Sequence, residues 1–438
     1  MLKTINKRIS RRQAVYLFFV VYYALYTIRE FFRKEVFGFF PKELWAKSEW
    51  LVNYQGGFVR RGLGGEVVWQ LYQNFGIDPD SLIWLICFSS YLLLAILMIR
   101  SFLKNEISLI PLICLCLLSG PVYYGHIIRE DIFNLMLFFT ALVCYSKKGF
   151  LYWVLGALAI CFAILNHEMV GFVALPSLFL IAIHAITTQR TVRLRFLKPV
   201  FVFLLPFLAF AAVSFTSKVD SETIRLIRDS WANVPLDSYN DVNNNRMPSV
   251  DFMDRGLKGS LLFVKDNVMN FSGDYFGGLV SLLPVPFTLY LFLNLYRFRF
   301  GRIVISGSRP FDQQYFSKLI ILQLIAIFPL FILATDYSRW YFSWVTSTFF
   351  LYFIFPQSFL VDWVDGIVVK VQQRINSFLN SFVPRSTEFV YILPLVLGYV
   401  DVGWHFDIID DIPMLIILKS FSIEFFHRIF RWIPRLIG

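Results

Sequence analysis

Residues 150–187 read FLYWVLGALAICFAILNHEMVGFVALPSLFLIAIHAIT, and how this stretch is read decides the fold. Two apolar runs, 150–166 and 169–187, are separated by almost nothing but His167 and Glu168. Neither run contains Lys, Arg, Asp or Glu. As helices rising about 1.5 Å per residue, runs of this length approach the roughly 30 Å hydrocarbon core of a bilayer. In water such a hairpin would present no polar face. In lipid a helix satisfies its backbone internally, and its side chains meet an apolar solvent.

The same pattern recurs on both sides. Apolar windows of spanning length fall at 13–31, 82–100, 107–125, 131–146, 198–216, 276–296, 318–335, 340–356 and 387–404. A further stretch, 412–432, carries Lys419, Glu424, Arg428 and Arg431 and reads as an interfacial amphipathic helix. The expected fold is all-α: a polytopic transmembrane helix bundle of about ten to twelve spans. Residues 1–360 form its main module, and 361–438 add a span and the interfacial helix. No separate soluble domain is expected.

Composition agrees. Apolar residues make up 57% of 438 and charged residues 16%, against about 25% charged in soluble domains. The 50 Phe and a mean hydropathy of +0.61 leave too little polar surface for water. The formal charge of +11 comes from Lys and Arg at helix ends, which suits anionic headgroups and argues against nucleic acid as partner. All five cysteines lie in apolar segments and form neither a disulfide framework nor a metal motif. The basic start is followed by no cleavage site, so the first run reads as an anchor.

Orientation follows from Lys and Arg in short connections. Lys3, Lys7, Arg8, Arg11 and Arg12 precede the first span. Arg100 and Lys104, then Lys147 and Lys148, then Arg190, Arg193, Arg195 and Lys198, then Arg297, Arg299, Arg302 and Arg309 mark alternate turns. The N-terminus is therefore expected in the cytoplasm, with large outer loops at 32–81 and 217–275. The second of these predicts a helix over Ser221–Ser230 capped by Ser221.

Polar residues capable of chemistry gather on the outer side. The stretch from Asn53 to Glu66 sets Arg60 and Arg61 between two Gly pairs, a loop able to hold a diphosphate or simply to turn tightly. His126–Asp131 places Arg129 beside Glu130 and Asp131, which either cap a helix or serve as phosphate binder and base. His167 and Glu168 exchange protons, bind a divalent ion or face water in a tight turn. In Thr335–Trp340, Asp336 and Arg339 can pair with each other; alternatively Arg339 grips a pyrophosphate while Tyr337 and Trp340 stack on a sugar.

Taken together, these turns resemble those of the GT-C superfamily of membrane glycosyltransferases. The Asp336-Tyr-Ser-Arg-Trp340 element is similar to one in bacterial polysaccharide polymerases of the Wzy and EpsG type. The resemblance spans roughly residues 1–360. Where that family carries an acid soon after span one, this chain offers Glu30, Glu35, Glu43, Glu49 or Glu66. The resemblance implies a polyprenyl-phosphate-linked or -diphosphate-linked glycan donor and a glycan acceptor, met at the outer face of a bacterial inner membrane. It implies Asp131, Glu66 or Glu168 as catalytic acids. It also implies Arg60, Arg61, Arg129, His167, Asp336, Arg339 and Trp340 as substrate binders. It admits a divalent cation, and a chain-length regulator or flippase as partner. A lipid-linked glycan transporter or flippase and an O-antigen ligase are the alternatives.

Overall fold

The computed structural model describes residues 44–123, 126–188, 192–215, 219–234, 247–251, 284–298, 301–334 and 336–383, with isolated positions within 14–28, 253–262 and 386–394. Parts of the expected spans at 13–31 and 276–296, most of 387–404 and all of 412–432 lie outside the described residues. Among the described residues every regular element is helical.

Twelve of the helices among the described residues set the frame. In the first long loop lie α1 (Leu44–Glu49) and α2 (Gly62–Phe75). Then come α3 (Pro79–Lys104), α4 (Glu130–Ser146), α5 (Phe150–Asn166) and α6 (Met169–Thr188). A helical rod follows, ending in α7 (Leu205–Phe215). The second long loop holds α8 (Ser221–Ser230). Last are α9 (Pro284–Leu293), α10 (Gln313–Leu333), α11 (Tyr337–Ile354) and α12 (Asp362–Phe382). Among the described residues four helices, Pro79–Lys104, Met169–Thr188, Phe196–Phe215 and Gln313–Leu333, are long and apolar enough to cross a membrane; α5 and α9 are apolar but shorter.

Local chemistry sets the ends. Asp78 accepts a hydrogen bond from the Ser81 amide (2.9 Å) with Pro79 in the first turn, so α3 starts there. Asp312 does the same for α10 through the Tyr315 amide (3.0 Å). The rod before α7 loosens into a π turn at Val200–Leu204. Pro206 has no N–H for the Val202 carbonyl, so an ordinary turn there would be incomplete. The helix over Ser221–Ser230 forms as expected. Its cap is Asp220, one residue earlier, which accepts from the Thr223 amide at 2.7 Å.

Two elements depart from the sequence reading. The window 107–125 is not one rod: a 3₁₀ turn at Ile110–Ile113 gives way to extended backbone at Cys114 and a short helix at Ser119–Tyr123. Pro111 and Pro121 interrupt helical bonding, and Gly120 lets its backbone rest against the Leu115 carbonyl. The segment is buried, and irregular backbone is tolerated at membrane depth when protein surrounds it. The second departure is α12, which falls on residues read as a connection. It is amphipathic, burying Val364, Val368 and Leu379 and tied to α10 by Lys318 Nζ to Asp365 Oδ1 (2.7 Å).

At the centre lies α11, buried at every position from Tyr337 to Tyr352. It packs on α10, α4 and α6. Its Ser and Thr residues fold back on their own helix, Ser347 and Thr348 both donating to the Trp344 carbonyl (3.0 and 2.8 Å). Trp344 Nε1 donates to the Ile320 carbonyl of α10 at 2.7 Å. Outward-facing Leu92, Leu93 and Ile96 on α3, with Ile325, Phe328 and Ile332 on α10, leave an apolar perimeter suited to lipid.

The two long loops fold onto each other. Trp231 Nε1 donates to the Leu51 carbonyl (2.7 Å), Asn53 Nδ2 to Ser230 Oγ (2.8 Å) and Ser249 Oγ to Ser48 Oγ (2.6 Å). Trp50, Val52, Val59, Ile227, Trp231 and Val250 share a small apolar core under this cap. At the opposite end the basic turns meet, with the Arg309 amide donating to the Lys104 carbonyl (2.8 Å).

Candidate active site at the cap end of the bundle

The Gly-rich stretch of the first loop is built for close packing. A Cβ at Gly64 would collide with the Asn166 amide oxygen at the end of α5, and one at Gly65 with the Val52 carbonyl. Gly62 lies equally close to the Tyr54 ring. These glycines let the start of α2 press onto α5 and the 50–52 segment. That approach carries Arg60 and Arg61 to the turn between α5 and α6. Arg61 caps α2 with a positive φ of 64°, an uncommon conformation for a residue with a side chain.

Four turns converge here. Arg61 grips Glu168 with both faces of its fork, Nε to Oε2 at 2.9 Å and Nη2 to Oε1 at 2.6 Å. Arg60 Nη1 stands 3.7 Å from Glu168 Oε1. Arg339, at the start of α11, holds Asp131 in the same manner, Nε to Oδ2 at 2.6 Å and Nη2 to Oδ1 at 2.8 Å. Its Nη1 also donates to Asp336 (2.7 Å) and lies 3.4 Å from Glu49, while Nη2 is 3.2 Å from His167 Nε2. Arg129 reaches Glu49 at 3.2 Å and Asp336 at 3.7 Å. Bidentate pairs of this kind fix orientation as well as charge.

Depth divides the cluster. Glu49, Glu130, Asp131, His167 and Arg339 are buried, whereas the side chains of Arg60, Arg61, Arg129, Glu168 and Asp336 keep 13% to 22% exposure. Four arginines thus face four carboxylates, Glu49, Asp131, Glu168 and Asp336. The fifth carboxyl, Glu130, has neither oxygen in a hydrogen bond. In a dry interior such a group is favoured only in its neutral form. Burial, then the Arg61 charge, pushes His167 down to about 3, so the ring is neutral at physiological pH. The Met169 amide donates to Nδ1 at 3.2 Å, Glu168 Oε2 lies 3.7 Å from the same nitrogen, and Arg339 Nη2 lies 3.2 Å from Nε2. For Glu168 itself burial acts upward. Arg61, with Arg60 behind it, more than reverses that and holds the carboxyl well below its ordinary range.

Eight of the ten site residues singled out in the sequence therefore lie together: Asp131, Glu168, Arg60, Arg61, Arg129, His167, Asp336 and Arg339. Trp340 adjoins them, its ring centroid 5.5 Å from the Arg339 guanidinium. Both Trp340 and Tyr337 are buried, and Tyr337 stacks on Phe331 at 5.9 Å, so neither offers an open face to a sugar. Glu66 stands apart: it accepts from the Tyr54 amide (3.0 Å), Gln55 and Gln70 (2.8 Å) and ties α2 to its own loop. Glu49 is the acid the first loop supplies instead. The signal for it was a lone carboxylate set against the apolar Trp50-Leu-Val52.

The donor set does not suit a divalent cation. Among the described residues no three Asp, Glu, His or Cys side chains are grouped to ligate one, and the cluster's ionised carboxylates each face an arginine. What the arrangement can do is hold an anion between forked cations and keep a proton on a sheltered carboxyl. Comparison with protein-family models, curated proteins and solved structures finds no match to this chain.

Proposed function

We propose that this chain is a membrane-embedded glycosyltransferase that takes a sugar from a polyprenyl-phosphate or -diphosphate carrier and polymerises or extends an envelope glycan. One observation carries the reading: Arg60, Arg61, Arg129 and Arg339, from three separate segments, meet at one helix-end site beneath a folded cap, on the side where the basic turns are not. Positive groups on that side oppose the usual charge bias, and a phosphate at the membrane border is a ligand that would explain their position. In this reading the rim arginines receive the carrier phosphate. Fixed positive charge in a water-poor site meets charge building on the leaving phosphate, typically the larger contribution to such catalysis. A carboxylate takes the acceptor hydroxyl proton, which contributes about 10²–10⁴-fold. Asp336, on the rim, is placed for that step; Asp131, locked on Arg339, holds the site together.

The resemblance to Wzy- and EpsG-type polymerases names the finer class, a bacterial inner-membrane polymerase. Glycan profiling of a deletion strain tests it. Accumulation of single-repeat, lipid-linked glycan is the expected result, restored to long chains by the wild-type gene and not by Arg61→Ala. Unchanged long-chain glycan in the deletion strain would overturn the proposal. A second reading, a lipid-linked glycan transporter or flippase, draws on Pro176 and Pro329 inside two helices that border the buried charge cluster. It predicts that donor is stranded on the cytoplasmic leaflet.

A further inference from the structure

We infer that Glu168 is a built-in competitor for the anionic ligand: its carboxylate fills the Arg61 fork that a ligand phosphate takes, so binding displaces Glu168 and takes up one proton from water. The inference rests on the phosphate-binding reading above and specifies its regulation.

The geometry is that of a ligand already in place. A guanidinium fork accepts carboxylate and phosphate by the same two parallel bonds, and both of those bonds from Arg61 go to Glu168. Arg60 has its Nε without a partner and only a 3.7 Å approach to the same carboxylate, so it too is free to turn to an incoming anion. The floor cannot yield in this way. Asp131 is buried on Arg339, and parting them would leave the Asp131 charge buried without its cation. Glu168 is 20% exposed and sits on the turn between α5 and α6, where a side chain can swing out and exchange protons with water.

Charge matching forces the proton. The groups facing Glu168 and its partners are Glu49 from α1, Arg60 and Arg61 at α2, Arg129, Glu130 and Asp131 at α4, His167, and Asp336 and Arg339 at α11. With Glu130 neutral, the four arginines are already balanced by four carboxylates. An added anion leaves the cluster one charge in excess per negative charge. The displaced Glu168, deprived of Arg61 and beside the anion, is the exposed carboxylate best placed to neutralise it by protonation. The bound state then holds one more proton than the free state, and affinity rises as pH falls.

The test is calorimetric binding to the full chain in detergent. A phosphate monoester titrates at about pH 6 itself, so the probe is a short-chain prenyl methyl phosphodiester, whose charge is constant. Wild type is expected to bind more tightly at lower pH, by up to about tenfold per unit, with proton uptake visible as a heat that changes with buffer. Glu168→Gln is expected to bind about tenfold more tightly at neutral pH and to lose that dependence. Binding by wild type without pH dependence or proton uptake overturns the inference and leaves the phosphate-binding reading standing. So does a folded Glu168→Gln protein that binds no better than wild type. Should that variant fail to fold, the wild-type proton count decides alone. Absence of binding by both proteins overturns the phosphate-binding reading, and this inference with it.

Discussion

Arg339 touches three carboxylates and the His167 ring, and His167 shows what that asks of its neighbours. A protonated imidazole beside Arg339 and Arg61 would add a third positive charge in a buried space, so the ring stays neutral down to about pH 3. In the unfolded chain it titrates near 6.5. Between these values the unfolded state binds the extra proton, so stability is full above about 6.5 and falls as pH drops toward 3. The depressed Glu168 carboxyl acts in the same direction over the acidic part of that window. Melting in detergent should therefore show acid destabilisation that His167→Gln reduces; an unchanged pH profile in that variant would place the ring in water. For Arg339 itself, replacement by Ala strips the cation from buried Asp131 and is expected to cost about 3–5 kcal/mol. Thermal stability should fall sharply, and Asp131→Asn added to Arg339→Ala should recover part of it. Additive losses in the double variant would show that the two residues do not interact.

At the scale of elements, the apolar periodicity of 150–187 located α5 and α6 closely because no competing signal interrupts those runs. The glycine motif was legible as a motif but not as packing, since a sequence does not say which backbone a missing Cβ admits. Gly64 makes the difference measurable. Ala at that position must displace the Asn166 amide, and overpacking of this kind destabilises by about 1–3 kcal/mol. Gly57, with open space around it, has a positive φ of 114°, so Ala there strains the turn rather than the α2–α5 contact. Loss of function with Gly64→Ala and its retention with Gly57→Ala would show that positioning of Arg60 and Arg61 depends on that contact; the reverse order would return the motif to a loop role. Glu49 stood unranked among five acids and α12 fell on residues read as a connection, for a shared reason. Each gains its meaning from a long-range partner, Arg129 and Arg339 for the first and α10 for the second. The pairing of the long loops was invisible for the same reason. It predicts that cysteines at Ser48 and Ser249, whose oxygens are 2.6 Å apart, will cross-link under mild oxidation; persistent free thiols there would separate α1 from the segment after α8.

For the whole molecule, charge sidedness and the position of the site are one claim. The cap formed by α1, α2 and α8 covers the cluster, and the basic turns at Lys104, Lys147, Lys148 and Arg309 lie toward the other end of the helices. If positive residues remain in the cytoplasm, the cap faces outward. Glu222 on α8 is exposed, as is Lys148 between α4 and α5, and the native cysteines are buried or half-buried. A membrane-impermeant maleimide added to spheroplasts should therefore label Glu222→Cys directly and Lys148→Cys only after permeabilisation. The opposite pattern would put the arginine cluster in the cytoplasm, where a carrier-linked donor needs no prior crossing of the bilayer, and the outer-face reaction would have to be abandoned. The expected pattern makes a supply step unavoidable: a lipid-linked sugar made in the cytoplasm must first be turned across the bilayer before the rim arginines can meet its phosphate.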